Sequence, residues 1–593
     1  MKNPVSTVRI MFCAIVFIVL STGVSWAVMP KVYDVTEYGA VGDGNNLDSP
    51  AINKAIEQCV ANGGGTVYLP PGTYLCGSIR LKSNVTLHIG RAATIKAAPN
   101  EMKVYDIPDK NPWYKPIEYQ DFGHSHWKNS LIWAIEQHDI GIVGEGTLDG
   151  SGMTAGDSED GGGDKAIGLK LCRNILIKDI TIKTGGHFGI LPTGCDNMVI
   201  DNLKIDTNRD GINIDCCKNV RISNCTINSP HDDAIVLKSS YGLGYKKATE
   251  DVAITNCMVS GYKVGSVLDG TYQETYQKCG RIKFGTESNG GFKNVTISNC
   301  VFDECLGLAI ECVDGGIMEN ITVSNIVMRD IYNGPILLRL GNRARGPNSP
   351  PVGRMRNVNI SNIMVVRSYG HWGCVLSGIP GHLIENVRLN NITISYFGGG
   401  EKEYQYIRPP ENEAEYPEHV MFGMLPSYGF YLRHIKDIQL NNVSVSFEPF
   451  PDPRPAVVCD DVDGLTLNNF RFQTTKDTDT PVIFRDTRNL LVFNCPKLPS
   501  VKPICTNIRA MQKQISVDEK FLVAAQVLSK QGGLSTIELM LSDREKPLAQ
   551  QYLWLNANEP KELLFKDVTL DKAGRQKISI AGSKKSVGLK VNK

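Results

Sequence analysis

Apolar and polar residues alternate with a period of two along most of this chain, in short runs that recur. One pattern returns about ten times: Asn or Asp, apolar, any, apolar, any, Asn or Asp, then further alternating apolar positions. It reads NILIKDITIK from Asn174, NMVIDNLKID from Asn197, NVRISNCTIN from Asn219, DVAITNCMVS from Asp251 and NVTISNCVFD from Asn294. It continues as NITVSNIVMR from Asn320, NVNISNIMVV from Asn357, NVRLNNITIS from Asn386, DIQLNNVSVS from Asp437 and GLTLNNFRFQ from Gly464. Each copy predicts a pair of short strands, too brief for helices and rich in β-branched residues.

The internal Asn carries the fold. It lies five residues into each copy, at Asn202, Asn224, Asn256, Asn299, Asn325, Asn362, Asn391, Asn442 and Asn469, with Asp179 in the first. Asn enters the left-handed backbone region more readily than other non-glycine residues, so an Asn between two strands marks a tight bend. Spacings between copies start at roughly 22 residues, the length of one β-helix coil, and grow where loops are inserted. A propeller needs several strands per repeat and a longer regular period, and a leucine-rich repeat needs its own leucines. The expectation is all-β: a right-handed parallel β-helix over residues 28–500, with insertions forming a groove suited to a polymer.

The flanks differ. Before the repeats, VYDVTEYGAVGDGNNLDSPAINKAIEQC predicts a strand, a glycine-rich turn and an amphipathic helix from about Ser49, placed to cover the open end of the solenoid. Beyond the linker PKLPSVKP, residues 508–593 predict short strands between polar turns, a small immunoglobulin-like β-sandwich with no visible chemistry. At the start, Lys2 and Arg9 precede an apolar run from Ile10 to Leu20, and Ser25-Trp26-Ala27 offers small residues for cleavage. That predicts a signal peptide over 1–27 and a secreted or periplasmic protein beginning near Val28, without membrane insertion after cleavage.

Composition narrows the function. A net charge of +1 has no basic stripe for nucleic acid. The chain has 17 cysteines, yet Cys225, Cys257 and Cys300 share one repeat position and read as small buried hydrophobes on successive coils. No Cys or His spacing suits zinc, so no metal or cofactor is expected. The chain is expected to act as a monomer.

Charge concentrates on three neighbouring coils: TNRDGINID ending at Asp215, SPHDDAIVLKS ending at Ser239, and CGRIKFGTES ending at Ser288. If Ile212, Ile235 and Ile282 are equivalent inward residues, Asp210 and Asp233 share one place on consecutive coils and Asp232 lies one residue earlier. Arg281 and Lys283 then flank Ile282 and point outward. Carboxylates and cations on one exterior patch suit glycosidic hydrolysis, in which one carboxyl donates a proton while another activates water or attacks the sugar. Crowded like charges keep one of them protonated, and the cations match a uronate carboxylate. Two inserted loops, RLGNRARGPNSPP from Arg339 and the stretch from Phe397 to about Tyr431, are expected to shape the groove.

These motifs also carry a resemblance. N-x-D-G-I at Asn208–Ile212, D-D at Asp232–Asp233 and R-I-K at Arg281–Lys283 resemble, in order and approximate spacing, glycoside hydrolase family 28, the polygalacturonases. The N-terminal segment is likewise similar to the pectin-lyase-like superfamily. The resemblance spans roughly residues 30–495 and implies an inverting, metal-independent hydrolase of α-linked galacturonic acid bonds in pectin, with a pectic polysaccharide or oligosaccharide as partner. By position it implies Asp232 as general acid, Asp210 and Asp233 holding the water, and Arg281 and Lys283 on the substrate; Asn208 and Lys263 are further candidates for binding it. One motif departs: the family's G-H-G is replaced within SGYKVGS, Ser260–Ser266, where Tyr262 and Lys263 stand near the missing histidine. That leaves open a rhamnogalacturonan hydrolase of the same family. A calcium-dependent pectate lyase and a non-catalytic glycan-binding β-helix are the other readings.

Overall fold

The computed structural model describes residues 31–109, 111 and 118–593; the expected signal peptide lies outside the described residues. A right-handed parallel β-helix fills most of the chain, its strands joined in one 34-stranded sheet system. Each coil has three faces. In one coil they are Arg173–Lys178, Thr181–Lys183 and Phe188–Thr193; in the next, Asp196–Asp201, Lys204–Asp206 and Asp210–Asp215. Coils stack in parallel register, Ile175 on Met198, Ile182 on Ile205 and Ile190 on Ile212. The Asn repeat encodes the first two faces. The third lies outside it, and that face carries the chemistry.

The bend residues behave as their chemistry requires. Every internal Asn from Asn202 to Asn469 has φ between 53° and 58°, and Asp179 has 65°. Most of their side chains also bond along the stack: the Asn325 amide donates to Asn299 Oδ1 at 3.0 Å and accepts from Asn362 at 2.9 Å. A second ladder runs through the residue that opens each copy, with Asn320 donating to Asn294 at 3.0 Å. Inside, Ile190, Ile212, Ile235 and Ile282 are fully buried, and Cys225, Cys257 and Cys300 stack as free, buried thiols.

Both ends of the solenoid are covered. The helix Ser49–Ala61, with Pro50 in its first turn, buries Ile52, Ala55, Ile56 and Cys59 against the first coil. At the other end, a three-stranded and a five-stranded sheet, Ile504–Asn592, enclose their own apolar core. The two cores touch: Leu534 and Tyr552 join the coil core, and the Tyr552 hydroxyl accepts from Leu490 N at 3.2 Å. This packing meets the solenoid's need for a cap.

Because Asn325 is exposed, its replacement isolates the bend from burial. Asn325→Ala is expected to cost about 2–3 kcal/mol in urea denaturation, combining left-handed strain with two lost ladder bonds. Asn325→Gly should recover the strain part and keep only the ladder loss. An Ala variant with unchanged stability would show that the bends do not hold the coils in register.

Candidate active site

The third face brings the sequence-selected carboxylates together. Ile212 pairs with Ile235 and Ile235 with Ile282, so Asp210 and Asp233 stack on consecutive coils and Asp232 precedes them. They line a cleft of about 370 Å³. Asp210 is 2% exposed; its Oδ2 accepts from the Asn213 amide at 2.9 Å and its Oδ1 from Asp233 N at 3.2 Å. Asp233 is buried, with Arg281 Nε on its Oδ1 at 2.9 Å. Asp232 is the accessible member, its side chain 28% exposed and its Oδ2 2.8 Å from Arg209 Nη2.

Burial sets the proton inventory. It pushes the Asp210 carboxyl well above the usual range, and the neighbouring Asp232 charge adds to the effect. Asp232 goes the other way: burial would raise it, but Arg209, Lys238 and a hydrogen bond from Asp210 together hold it below its ordinary value. The opposite directions favour the proton on Asp210 when the pair holds one.

The remaining lining comes from three sources. On the strands, Lys238 lies 3.0 Å from Glu287, and Lys283 also faces the cleft. From the segment before the third coil come Gln120, Asp121 and Phe122, with His187 Nε2 2.9 Å from Asp121 and its Nδ1 2.7 Å from the Ala155 carbonyl. From the two inserted loops come Arg345 and Tyr416. The second loop also presents Glu418, whose carboxylate receives both Arg281 guanidinium nitrogens and lies 3.3 Å from Lys283 Nζ. Glu418 is held far below the usual carboxylate range: burial would raise it, but Arg281 and Lys283 prevail.

The residues expected on the substrate sit in different surroundings. Arg281 immediately precedes the strand Ile282–Ser288; it is only 1% exposed and lies outside the cleft lining, its guanidinium enclosed by Asp233 and Glu418. Lys263 is exposed and bonds Gln273 at 3.3 Å, away from the cleft, because Ser260–Ser266 leaves the sheet. Tyr262 likewise turns aside to donate to Asp303 at 2.9 Å. Asn208 also falls outside the lining. The histidine that does face the cleft is His187. Phe188 pairs with Asp210, so His187 is the coil equivalent of Arg209 and Asp232, and the strand phase that aligned the carboxylates also marks it. Glu418 has no such signal, since it sits 137 residues from Arg281.

Comparison with known proteins gives a family and a fold. The model of Glycosyl hydrolases family 28 matches residues 118–414, and that of Rhamnogalacturonase A/epimerase, pectate lyase-like, matches 32–125. A probable polygalacturonase of Vitis vinifera is 27% identical over 388 residues, 61% of this chain and 73% of that protein. An exo-poly-alpha-D-galacturonosidase of Dickeya chrysanthemi is 26% identical over 275 residues, 37% of this chain and 44% of that protein. In fold, the chain is similar to the family 28 exopolygalacturonase of Yersinia enterocolitica, with TM-score 0.55, 18% identity and 78% of each chain covered.

The Arg209–Asp232 pair makes a pH prediction. Removing the cation raises Asp232, so the shared proton is retained to higher pH. The alkaline limb of the pH–rate profile for glycoside hydrolysis is expected to move up by roughly one unit in Arg209→Gln. A limb that stays in place, at whatever rate, would detach Asp232 from the titration that controls turnover.

Proposed function

Because the chain belongs to glycosyl hydrolases family 28 and is a glycosidase, we propose that this cleft hydrolyses α-linked galacturonic acid bonds in pectic polysaccharide, with inversion. The observation that carries the reading is the meeting of Asp210, Asp232 and Asp233 in one cleft; the raised Asp210 carboxyl beside the lowered Asp232 carboxyl supports it. Asp232, the accessible member, delivers that proton to the glycosidic oxygen as the bond to the anomeric carbon breaks. Asp210 passes its proton to Asp232 and, with Asp233, orients the water that attacks from the opposite side and accepts the proton the water loses. Lys238 and Arg209 lie at the edges of this carboxylate group and balance its charge, and Tyr416 offers a ring for a sugar face.

Export fits this role. The apolar run Ile10–Leu20 and the small residues at Ser25 and Ala27 support delivery to the periplasm or the medium, where a pectic polymer is met. No helix among the described residues is long and apolar enough to cross a membrane.

Asp232→Asn keeps shape but has no proton to give. Reducing-end release from pectic polysaccharide is expected to fall by at least ~10²-fold, with the thermal transition nearly unchanged. A clean preparation with near-wild-type release would remove Asp232 from the acid role, and proton NMR of the first product anomer would test inversion.

A further inference from the structure

We infer that Glu418 determines specificity: its carboxylate takes the place on Arg281 and Lys283 that a substrate uronate would take, so the subsite there accepts a sugar without a free carboxylate. The inference rests on the hydrolytic reading above and narrows it. A polymer alternating galacturonate with a neutral sugar fits such a subsite, whereas a run of free galacturonates meets a negative charge.

Geometry carries the argument. Glu418 grips Arg281 with both oxygens, Oε2 at 3.1 Å from Nη1 and Oε1 on Nη2, in the fork arrangement that a bound carboxylate adopts. The same Oε1 is 3.3 Å from Lys283 Nζ, while the Lys283 ammonium lies 5.1 Å from the centre of the Tyr416 ring. Asp233 takes the remaining Arg281 nitrogen, Nε. Two cations thus face two carboxylates. The other acid and base nearby add no charge: burial raises Glu311 to about 8, and burial lowers His419 to about 4.

The loop bearing Glu418 is held in place. Arg339 donates to the Glu411 carbonyl at 2.7 Å, Arg433 to the Pro409 and Pro410 carbonyls at 2.8 and 3.0 Å, and Arg485 to that of Gln405 at 3.0 Å. Just beyond Glu418, Phe422 and Leu425 are buried against the third face. A substrate carboxylate that displaced Glu418 would gain no charge pairing, and the attached loop would keep the displaced carboxylate close by.

Binding to Asp232→Asn, in which turnover is expected to be at least ~10²-fold slower, tests the inference. Calorimetric titration would use a galacturonate tetrasaccharide and one alternating galacturonate with rhamnose, before and after adding Glu418→Gln. The isosteric Gln is expected to tighten the all-acid ligand by about tenfold or more and leave the alternating ligand within about threefold. Weaker or unchanged binding of the all-acid ligand to the double variant would overturn the role. If the double variant does not fold, wild-type turnover decides: faster cleavage of the alternating polymer supports the inference, and faster cleavage of the all-acid one overturns it. Wild type that releases no reducing ends from any pectic substrate would instead sink the hydrolytic reading, and the binding comparison would still decide the place of Glu418.

Discussion

Everything in this molecule depends on coil-to-coil register, and register depends on one left-handed residue placed at each bend. An Asn at φ near 55° turns the chain in a single residue and uses its amide to hold the next coil. The consequence reaches the far face of the coil. Since Ile212, Ile235 and Ile282 are stacked and inward, the residues flanking them face out at fixed heights. A slip of one residue on either of the first two coils would turn an isoleucine out of the core and move Asp210 or Asp233 out of its stack. The catalytic arrangement is therefore a product of parallel stacking and does not depend on a specialised loop.

The cleft's electrostatics follow from packing charges so tightly on that face. Strand spacing near 4.8 Å brings Asp210, Asp232 and Asp233 closer than three ionised carboxylates tolerate, and burial removes the water that would screen them. Cations relieve part of this: Arg209 on Asp232, Arg281 on Asp233, Lys238 on Glu287. What is left unrelieved falls on Asp210, which answers by keeping its proton. On the proposed reading, the proton that Asp232 delivers is one that burial and crowding favour on Asp210. Opposed charges also cost desolvation, and this patch accepts that cost for a fixed arrangement of donors and acceptors.

How much of this the sequence discloses depends on distance along the chain. The bends, the inward thiols and the three carboxylates are all functions of the repeat phase, and phase can be read from the residues alone. His187 follows the same phase and was equally readable. Lys263 misleads because proximity in sequence to the family's histidine motif says nothing once Ser260–Ser266 has left the sheet. The partners of Arg281 and Lys283 are hidden for another reason. Two cations flanking an inward isoleucine look unsatisfied, and the carboxylate that satisfies them arrives on a loop more than a hundred residues later. No local pattern encodes that meeting; it requires arginines on three later coils to catch the loop by its carbonyls.

Those arginines suggest why catalysis and selection are carried by different parts of the chain. Arg339, Ser377, Arg433, Asp460 and Arg485 form one outward column, each paired in register with the next. Arg339, Arg433 and Arg485 bind the loop through its backbone carbonyls, and Arg433 also pairs with the Glu411 carboxylate at 3.2 Å, so none of this grip passes through Glu418. The residue presented at the cleft can change without loosening the attachment, and the carboxylates stay where the coils put them. On the proposed reading the coils position Asp210, Asp232 and Asp233 and the strap positions Glu418, so a change at Glu418 alters the subsite without moving those carboxylates.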